Sequence, residues 1–199
     1  MYPIPLRHGM TAGELALFFN RACGIGAPLA VVKMHGWRRR LQFSDTGLAW
    51  TPPSPAIRTP EIAFLYAGTC LLEGTNISEG RGTDFPFRMF GAPWFDPALL
   101  KELDDRWTAG FALSPQTFVP TGSKYQGEKC SGLSINTLDK AVADPVALGV
   151  ELLSKLAERH PSELRWDEKH FDSLAGTDRL RWDILSRQST KQILQSWKL

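Results

Sequence analysis

Between positions 50 and 60 the chain reads WTPPSPAIRTP, and the prolines at 52, 53, 55 and 60 forbid both a helix and a fully paired strand across this stretch. Proline fixes its own φ, donates no backbone hydrogen bond and pushes the residue before it toward extended conformations. The segment is therefore an extended connection between a short N-terminal part and a longer C-terminal one. Apolar residues follow it at once, so the expectation is that it wraps over a shared core and that residues 1–199 form one domain. A chain of 199 residues that is 43% hydrophobic and 22% charged can bury one good core.

In the N-terminal part, Thr11-Ala12-Gly13-Glu14 has the capping-box pattern, in which the Thr11 hydroxyl and the Glu14 carboxylate each accept from the other residue's amide. A helix is expected to start there with Leu15, Phe18 and Phe19 toward the core. Residues 29–34, LAVVKM, are aliphatic and partly β-branched, which predicts a buried strand. Residues 61–72, EIAFLYAGTCLL, fit helix or strand by pattern alone. Thr59 as cap, Pro60 at the first helical position and Glu61 near the positive helix end favour a short helix.

Further along, residues 87–90, 111–118 and 133–138 read as strands and residues 97–108 as a helix with Leu99, Leu100 and Leu103 inward. Residues 145–159 form the clearest helix: Asp144 caps it, Pro145 opens it, and Val146, Val150, Leu153 and Leu156 (or Leu152) line one face. Short helices are expected over 180–185 and 193–197. Helices and strands follow one another in no regular alternation, so the fold class is α+β, a single mixed domain of short strands packed with helices.

Charge and cysteine content exclude several functions. A net charge of +2 from 23 basic and 21 acidic residues leaves no electrostatic footprint for nucleic acid, and Arg38-Arg39-Arg40 reads as a solvated turn. Cys23, Cys70 and Cys130 form no C-x-x-C pair and read as free thiols; His8, His35, His160 and His170 lack metal-ligand spacing, so no metal and no cofactor is expected. The first residues lack a basic and then apolar leader pattern, and no apolar run reaches the ~20 residues a membrane helix needs. The compartment is not written in the sequence.

The chemistry-bearing stretch is LLEGTNISEGRGTDFP, residues 71–86. Glu73 and Glu79 flank Asn76; two carboxylates on one cleft can divide acid and base roles, as glycoside hydrolysis requires, or can simply accept backbone amides and fix turns. Arg81 lies between Gly80 and Gly82, and its fork suits a carboxylate or phosphate or else an internal salt bridge to Glu73 or Glu79. The glycine spacing ahead of Thr83 contains no G-K-[ST] and is not a dinucleotide fingerprint, which leaves a phosphate-handling enzyme as a weak rival. His8, in Arg7-His8-Gly9, precedes the capped helix and reads as ligand-facing or structural. Ser123-Lys124 sits in a second glycine-rich loop, PTGSKYQGEKCSG, and Ser54 and Ser123 lack a nucleophile-elbow context.

Taken in order, YPIPLRHGMTAGELALFFN, the 50–94 stretch with PPSP, TPE, GTCLLEGTNISEGRGT and GAPW, then FVPTGSKYQGEKCSG and LAGTDRLRWDIL, resemble the C-terminal half of the bacterial exo-β-N-acetylmuramidase family. The resemblance covers nearly the whole chain. It implies a glycoside hydrolase that releases terminal N-acetylmuramic acid from the non-reducing end of peptidoglycan fragments, with a cleft closed by a separate N-terminal Rossmann-like half as partner. It places Glu73 and Glu79 as candidate catalytic carboxylates. Arg7, His8, Asn76, Arg81 and Thr83 become candidate substrate contacts, an arginine for the lactyl carboxylate and Asn76 for the acetamido group of a muropeptide or other muramic acid saccharide. Two positions depart from the family pattern: Asn136 stands where a histidine is expected and Ser131 where a glycine is. The alternative is a carbohydrate-binding or pairing module without activity of its own.

Overall fold

The computed structural model describes residues 4–196, and the chain divides into two compact units, Arg7–Ala49 and a larger one made of Met1–Leu6 with Trp50–Leu199. The fold is α+β as expected, helices beside one small antiparallel sheet, and each of the two units is built in its own manner.

The smaller unit is organised by helix α1, Ala12–Ala22. Both capping-box bonds form: the Thr11 amide donates to Glu14 Oε2 (2.7 Å) and the Glu14 amide to Thr11 Oγ1 (3.2 Å). Yet α1 buries none of its residues, contrary to the inward placement of Leu15, Phe18 and Phe19. Residues 29–34 belong to no helix or strand, and no strand pairs with them among the described residues, so they are not the strand foreseen. A strand needs a neighbour to satisfy its backbone, and this unit supplies none.

The larger unit holds the core. Helix α2, Pro60–Thr69, starts as the capping logic requires, with the Ile62 amide donating to Thr59 Oγ1, and tightens into a 3-10 segment over Cys70–Gly74. The proline-rich connection contributes Ala56 and Ile57 to a small apolar cluster with Ile62 and Phe87, and Trp50 closes it by donating to the Ile57 carbonyl. Strands β1 (Met89–Ala92), β2 (Phe111–Phe118) and β3 (Cys130–Thr137) form an antiparallel sheet in the order β1-β3-β2. Leu133 and Ile135 of β3 point into the core, and Ser134 and Asn136 point the other way.

The expected helix over 97–108 is instead a 3-10 segment, Pro97–Glu102, and a single turn α3, Asp105–Thr108. Asp104 separates them: its carboxylate accepts from the Arg106 amide and starts the second piece afresh. Helix α4, Pro145–Arg159, is buried on nearly every side, with Val150, Leu152, Leu153 and Leu156 all in the core. It lies against α2 so closely that a Cβ added at Gly68 would come 1.6 Å from the Pro145 carbonyl oxygen. Three short helices follow, α5 (Glu168–Ala175), α6 (Arg179–Leu185) and α7 (Thr190–Ser196). The sequence reading passed over α5, whose Asp167 cap was its one signal, and Trp197 lies outside the described residues. Cys70 and Cys130 are buried thiols, whereas Cys23 is exposed.

Candidate functional site

The stretch 71–86 runs through the centre of the larger unit. Leu71, Leu72 and Ile77 are fully buried, and each turn of the backbone is tied to a different neighbour. Thr75 bridges to Trp166, and Ser78 exchanges two backbone bonds with Gly91 on β1 (2.8 and 2.9 Å). Gly80 and Gly82 both take φ of 78°, and a Cβ at Gly80 would meet the Met89 carbonyl oxygen at 2.4 Å, so glycine is required there by conformation and by space. This turn pair swings Arg81 back over the segment it follows.

Arg81 thereby spans both candidate carboxylates. Its Nη2 donates to Glu73 Oε2 at 2.8 Å and its Nε lies 3.1 Å from Glu79 Oε1, while the guanidinium carbon sits 5.1 Å from the centre of the Phe87 ring. Lys124 completes the cluster with its Nζ 3.0 Å from Glu79 Oε2 and donating also to the carbonyls of Leu72, Glu73 and Ile77 (3.2, 3.1 and 2.9 Å). Two carboxylates thus face two cations. Side-chain exposure differs sharply within the set: 3% at Glu79, 15% at Glu73 and 37% at Arg81. Glu79 is held on both oxygens and sealed from solvent, whereas Glu73 has one oxygen on Arg81 and keeps a path to the surface.

The electrostatics reflect this enclosure. Burial, followed by the charge of Glu73, raises the Tyr66 phenol above its ordinary range. Burial and the same carboxylate push the Cys70 thiol up to about 12. At Arg81, burial works against the charge, but the hydrogen bond and field of Glu73 and the field of Glu79 outweigh it, so the guanidinium sits above its ordinary range.

The remaining expected contacts are placed differently. Asn76 uses both ends of its amide on backbone, Nδ2 donating to the Glu163 carbonyl (2.9 Å) and Oδ1 accepting from the Arg165 amide (2.8 Å), and so clasps the loop to residues 163–165. Thr83 donates to the Gly80 carbonyl (2.7 Å) and accepts from the Phe85 amide (3.1 Å). Arg7 and His8 belong to the smaller unit, where His8 Nδ1 accepts from the Met10 amide at 3.1 Å.

Thr83 also lines a cleft of about 640 Å³ on the face of the sheet away from the core, with Arg58, Phe85, Arg88, Gln116 and Asn136. Asn136 accepts there from Arg88 Nη2, and Arg88 Nη1 lies 3.5 Å from Glu61 Oε2. Sequence reasoning missed Tyr66, Phe87 and Arg88 and noted Lys124 only as a cation in a loop. A signal for Lys124 exists in the backbone: its neighbours Ser123 and Tyr125 take φ of 69° and 57°, a region non-glycine residues avoid. Among the described residues no cluster of histidine, cysteine and carboxylate side chains could hold a metal ion, and no helix is long and apolar enough to cross a membrane.

The family model described as exo-beta-N-acetylmuramidase NamZ, C-terminal, matches residues 64–199. The chain belongs to the NamZ exo-β-N-acetylmuramidase family. The model of the NamZ N-terminal domain matches residues 1–61, so the two matches meet at the start of α2. A curated NamZ relative, the peptidoglycan beta-N-acetylmuramidase of Bacillus subtilis (strain 168), is 40% identical over 200 residues, which are 100% of this chain and 48% of that protein. The chain therefore spans about half the length of the curated relative it matches. Among solved structures, a DUF1343 family protein from Bacteroides fragilis NCTC 9343 superposes with a TM-score of 0.84 at 27% identity, covering 98% of this chain and 57% of the other. A second DUF1343 protein from the same organism, at 24% identity and a TM-score of 0.68 over 96% of this chain and 51% of its own, shares the fold.

Proposed function

We propose that this chain supplies one wall of the sugar cleft of an exo-β-N-acetylmuramidase, an enzyme that releases terminal N-acetylmuramic acid from peptidoglycan fragments. The observation that carries the reading is the Glu73–Arg81–Glu79 cluster. It offers one carboxylate with a path to solvent beside a cation with a third of its surface free. Glu73 acts as acid or base at the glycosidic bond, with the second carboxylate of the reaction coming from Glu79 or from the remainder of the enzyme. Arg81 receives the lactyl carboxylate on its outward N–H groups. Asn76 and Thr83 shape the loop that presents them, and an N-terminal family domain closes the cleft. The test is release of chromophore from a chromogenic muramic acid β-glycoside by the chain, alone and together with the N-terminal domain of a relative. Folded protein that releases nothing in either mixture overturns the proposal.

A second reading is a carbohydrate-binding or pairing module without turnover. It is favoured by the enclosure of Glu79, whose two oxygens are both held by cations as in a structural ion pair. Titration calorimetry that shows saccharide binding by the mixture, with no release, would select it.

A further inference from the structure

The cleft on the outer face of the sheet lies apart from the carboxylate cluster. It begins at Gly82 and Thr83, and none of Glu73, Glu79, Arg81 and Lys124 lines it. Its floor is a strand face: Asn136 pairs with Ala112, Ser134 with Ser114 and Gly132 with Gln116, so Asn136, Ser134 and Gln116 project to one side. Met89 and Phe118, buried against Cys130, add an apolar base. Side chains on a paired sheet are positioned more firmly than side chains on a loop, and a volume of about 640 Å³ falls within the ~300–1,000 Å³ of small-molecule sites.

The charges in this cleft are already matched. Arg88 is engaged on all three nitrogens, by Glu61 (3.5 Å), by Asn136 Oδ1 and by the Ile135 carbonyl (3.5 Å). Arg58 donates to the Pro55 carbonyl (3.3 Å) and has Asp84 3.9 Å from its Nη1. Two cations facing two carboxylates do not favour an anion. Two neutral groups remain: among the described residues, Asn136 Nδ2 and Gln116 Oε1 have no hydrogen-bond partner, the first a donor and the second an acceptor. Beside them stand Phe85 and Val119, each 51% exposed. The backbone of Phe85 is fixed, its amide donating to Thr83 Oγ1 and its carbonyl accepting from the amides of Arg88 and Met89 (3.2 and 3.1 Å), so the ring is a held platform. An added peptide strand fits poorly, because Pro115 in the middle of edge strand β2 donates no backbone hydrogen bond.

We propose that this cleft is a second saccharide site, which holds an N-acetylhexosamine of the glycan strand apart from the sugar being released. An acetamido group presents one carbonyl and one N–H, the complements of Asn136 Nδ2 and Gln116 Oε1. The C–H face of a pyranose ring packs on Phe85 and Val119, the arrangement of an apolar wall with a few placed polar groups that small-molecule sites share. Ring hydroxyls meet Ser134, whose Oγ lies 2.8 Å from Ser114 Oγ and serves as donor or acceptor. The choice of an N-acetylated glycan rests on the muramidase reading, whereas the place and polarity of the site rest on the sheet.

The experiment titrates the isotope-labelled chain with tetra-N-acetylchitotetraose, a glycan of N-acetylglucosamine without lactyl groups, and in parallel with cellotetraose, which lacks the acetamido groups. The expected result is saturable NMR shifts of the Asn136 and Gln116 side-chain amides with the first glycan, and about tenfold weaker binding of the second. Phe85→Ala should weaken the N-acetylated glycan by about tenfold while its melt stays within a few degrees, because half of the ring is in water. Gln116→Ala, an exposed change on edge strand β2, should weaken it severalfold and tests the same site if Phe85→Ala fails to fold. The probe contains no muramic acid, so loss of the muramidase reading leaves this result standing, and a chain that releases muramic acid yet shows no shift at these amides loses the second site alone. No saturation at millimolar glycan, shifts confined to residues 71–81, equal binding by both variants, equal binding of cellotetraose, or displacement of the glycan by inorganic phosphate would each overturn the proposal.

Discussion

Lys124 Nζ lies 3.0 Å from Glu79 Oε2, a residue 45 positions earlier in the chain, and the same ammonium donates to three backbone carbonyls of the 71–86 stretch. Lys124 therefore does two things at once: it neutralises a carboxylate that is 3% exposed and it staples the site loop. Removing it leaves Glu79 with Arg81 alone and three carbonyls short of a donor. Lys124→Met should cost about 3 kcal/mol, the scale for breaking a buried charge pair, and lower Tm by roughly 6–12 °C for a chain of this size. A melt that moves by less than a degree would show that the pair is solvated and idle.

Much of the larger unit was legible in the sequence because its signals are local. Thr59 with Pro60, and Asp144 with Pro145, announced α2 and α4 through groups within a few residues of each helix start. The β2 bounds also agree with the structure. Residues 29–34 were read as a strand because an apolar, β-branched run is the local signal for one, but a strand also needs a neighbour, and the described residues supply none. At the site, an Arg81 salt bridge to Glu73 or Glu79 was one of two options foreseen, and the structure has Arg81 on both. Lys124 was invisible as its partner because the contact depends on how the 120–132 loop folds back, and spacing across a loop fixes no distance.

Gly68 and Gly149 set how near α2 and α4 can come. A Cβ at Gly68 would stand 1.6 Å from the Pro145 carbonyl oxygen, a backbone atom that cannot step aside without moving the start of α4. Gly68→Ala should destabilise the protein by about 3 kcal/mol, the upper range of overpacking costs. Alanine favours helix over glycine by ~1 kcal/mol, so any net loss is the clash and not propensity. Calorimetry of the single variant decides it, and a variant as stable as the parent would mean that the helices separate freely.

Glu14 should report the integrity of the smaller unit by its titration. The hydrogen bond from Arg39, and after it the Thr11 amide of the capping box, hold its carboxyl down at about 2 against an ordinary 4.5. A depressed folded-state value stabilises the charged form, so the contribution is fully present above pH 4.5 and is lost as pH falls through about 2. Carboxyl-detected NMR should find this midpoint, and Arg39→Ala should move it up toward the ordinary value. A midpoint already near 4.5 in the parent chain would show that the Arg39 contact does not persist in solution.

Glu73 and Glu79 should separate cleanly when each is changed to glutamine. Glu79 is held by Arg81 and Lys124 and lacks a solvent path, so Glu79→Gln removes the charge that two cations face and should chiefly cost stability, by about 3 kcal/mol. Glu73 keeps 15% exposure and a single cation, and glutamine preserves an oxygen for Arg81, so Glu73→Gln should leave Tm within a few degrees. Its effect should fall on turnover in the complex with the N-terminal domain. There the loss of an acid or base is expected to slow release from a muramic acid glycoside by roughly 10²–10⁴-fold. The contrast excludes a common structural explanation, because the variant that harms folding more is then the one that harms the chemical step less per folded molecule. If Glu73→Gln melts normally and turns over normally while Glu79→Gln, corrected for its folded fraction, is dead, the catalytic assignment passes to Glu79. The Lys124 and Arg81 contacts would then be read as devices that fix the orientation of a buried catalytic carboxylate.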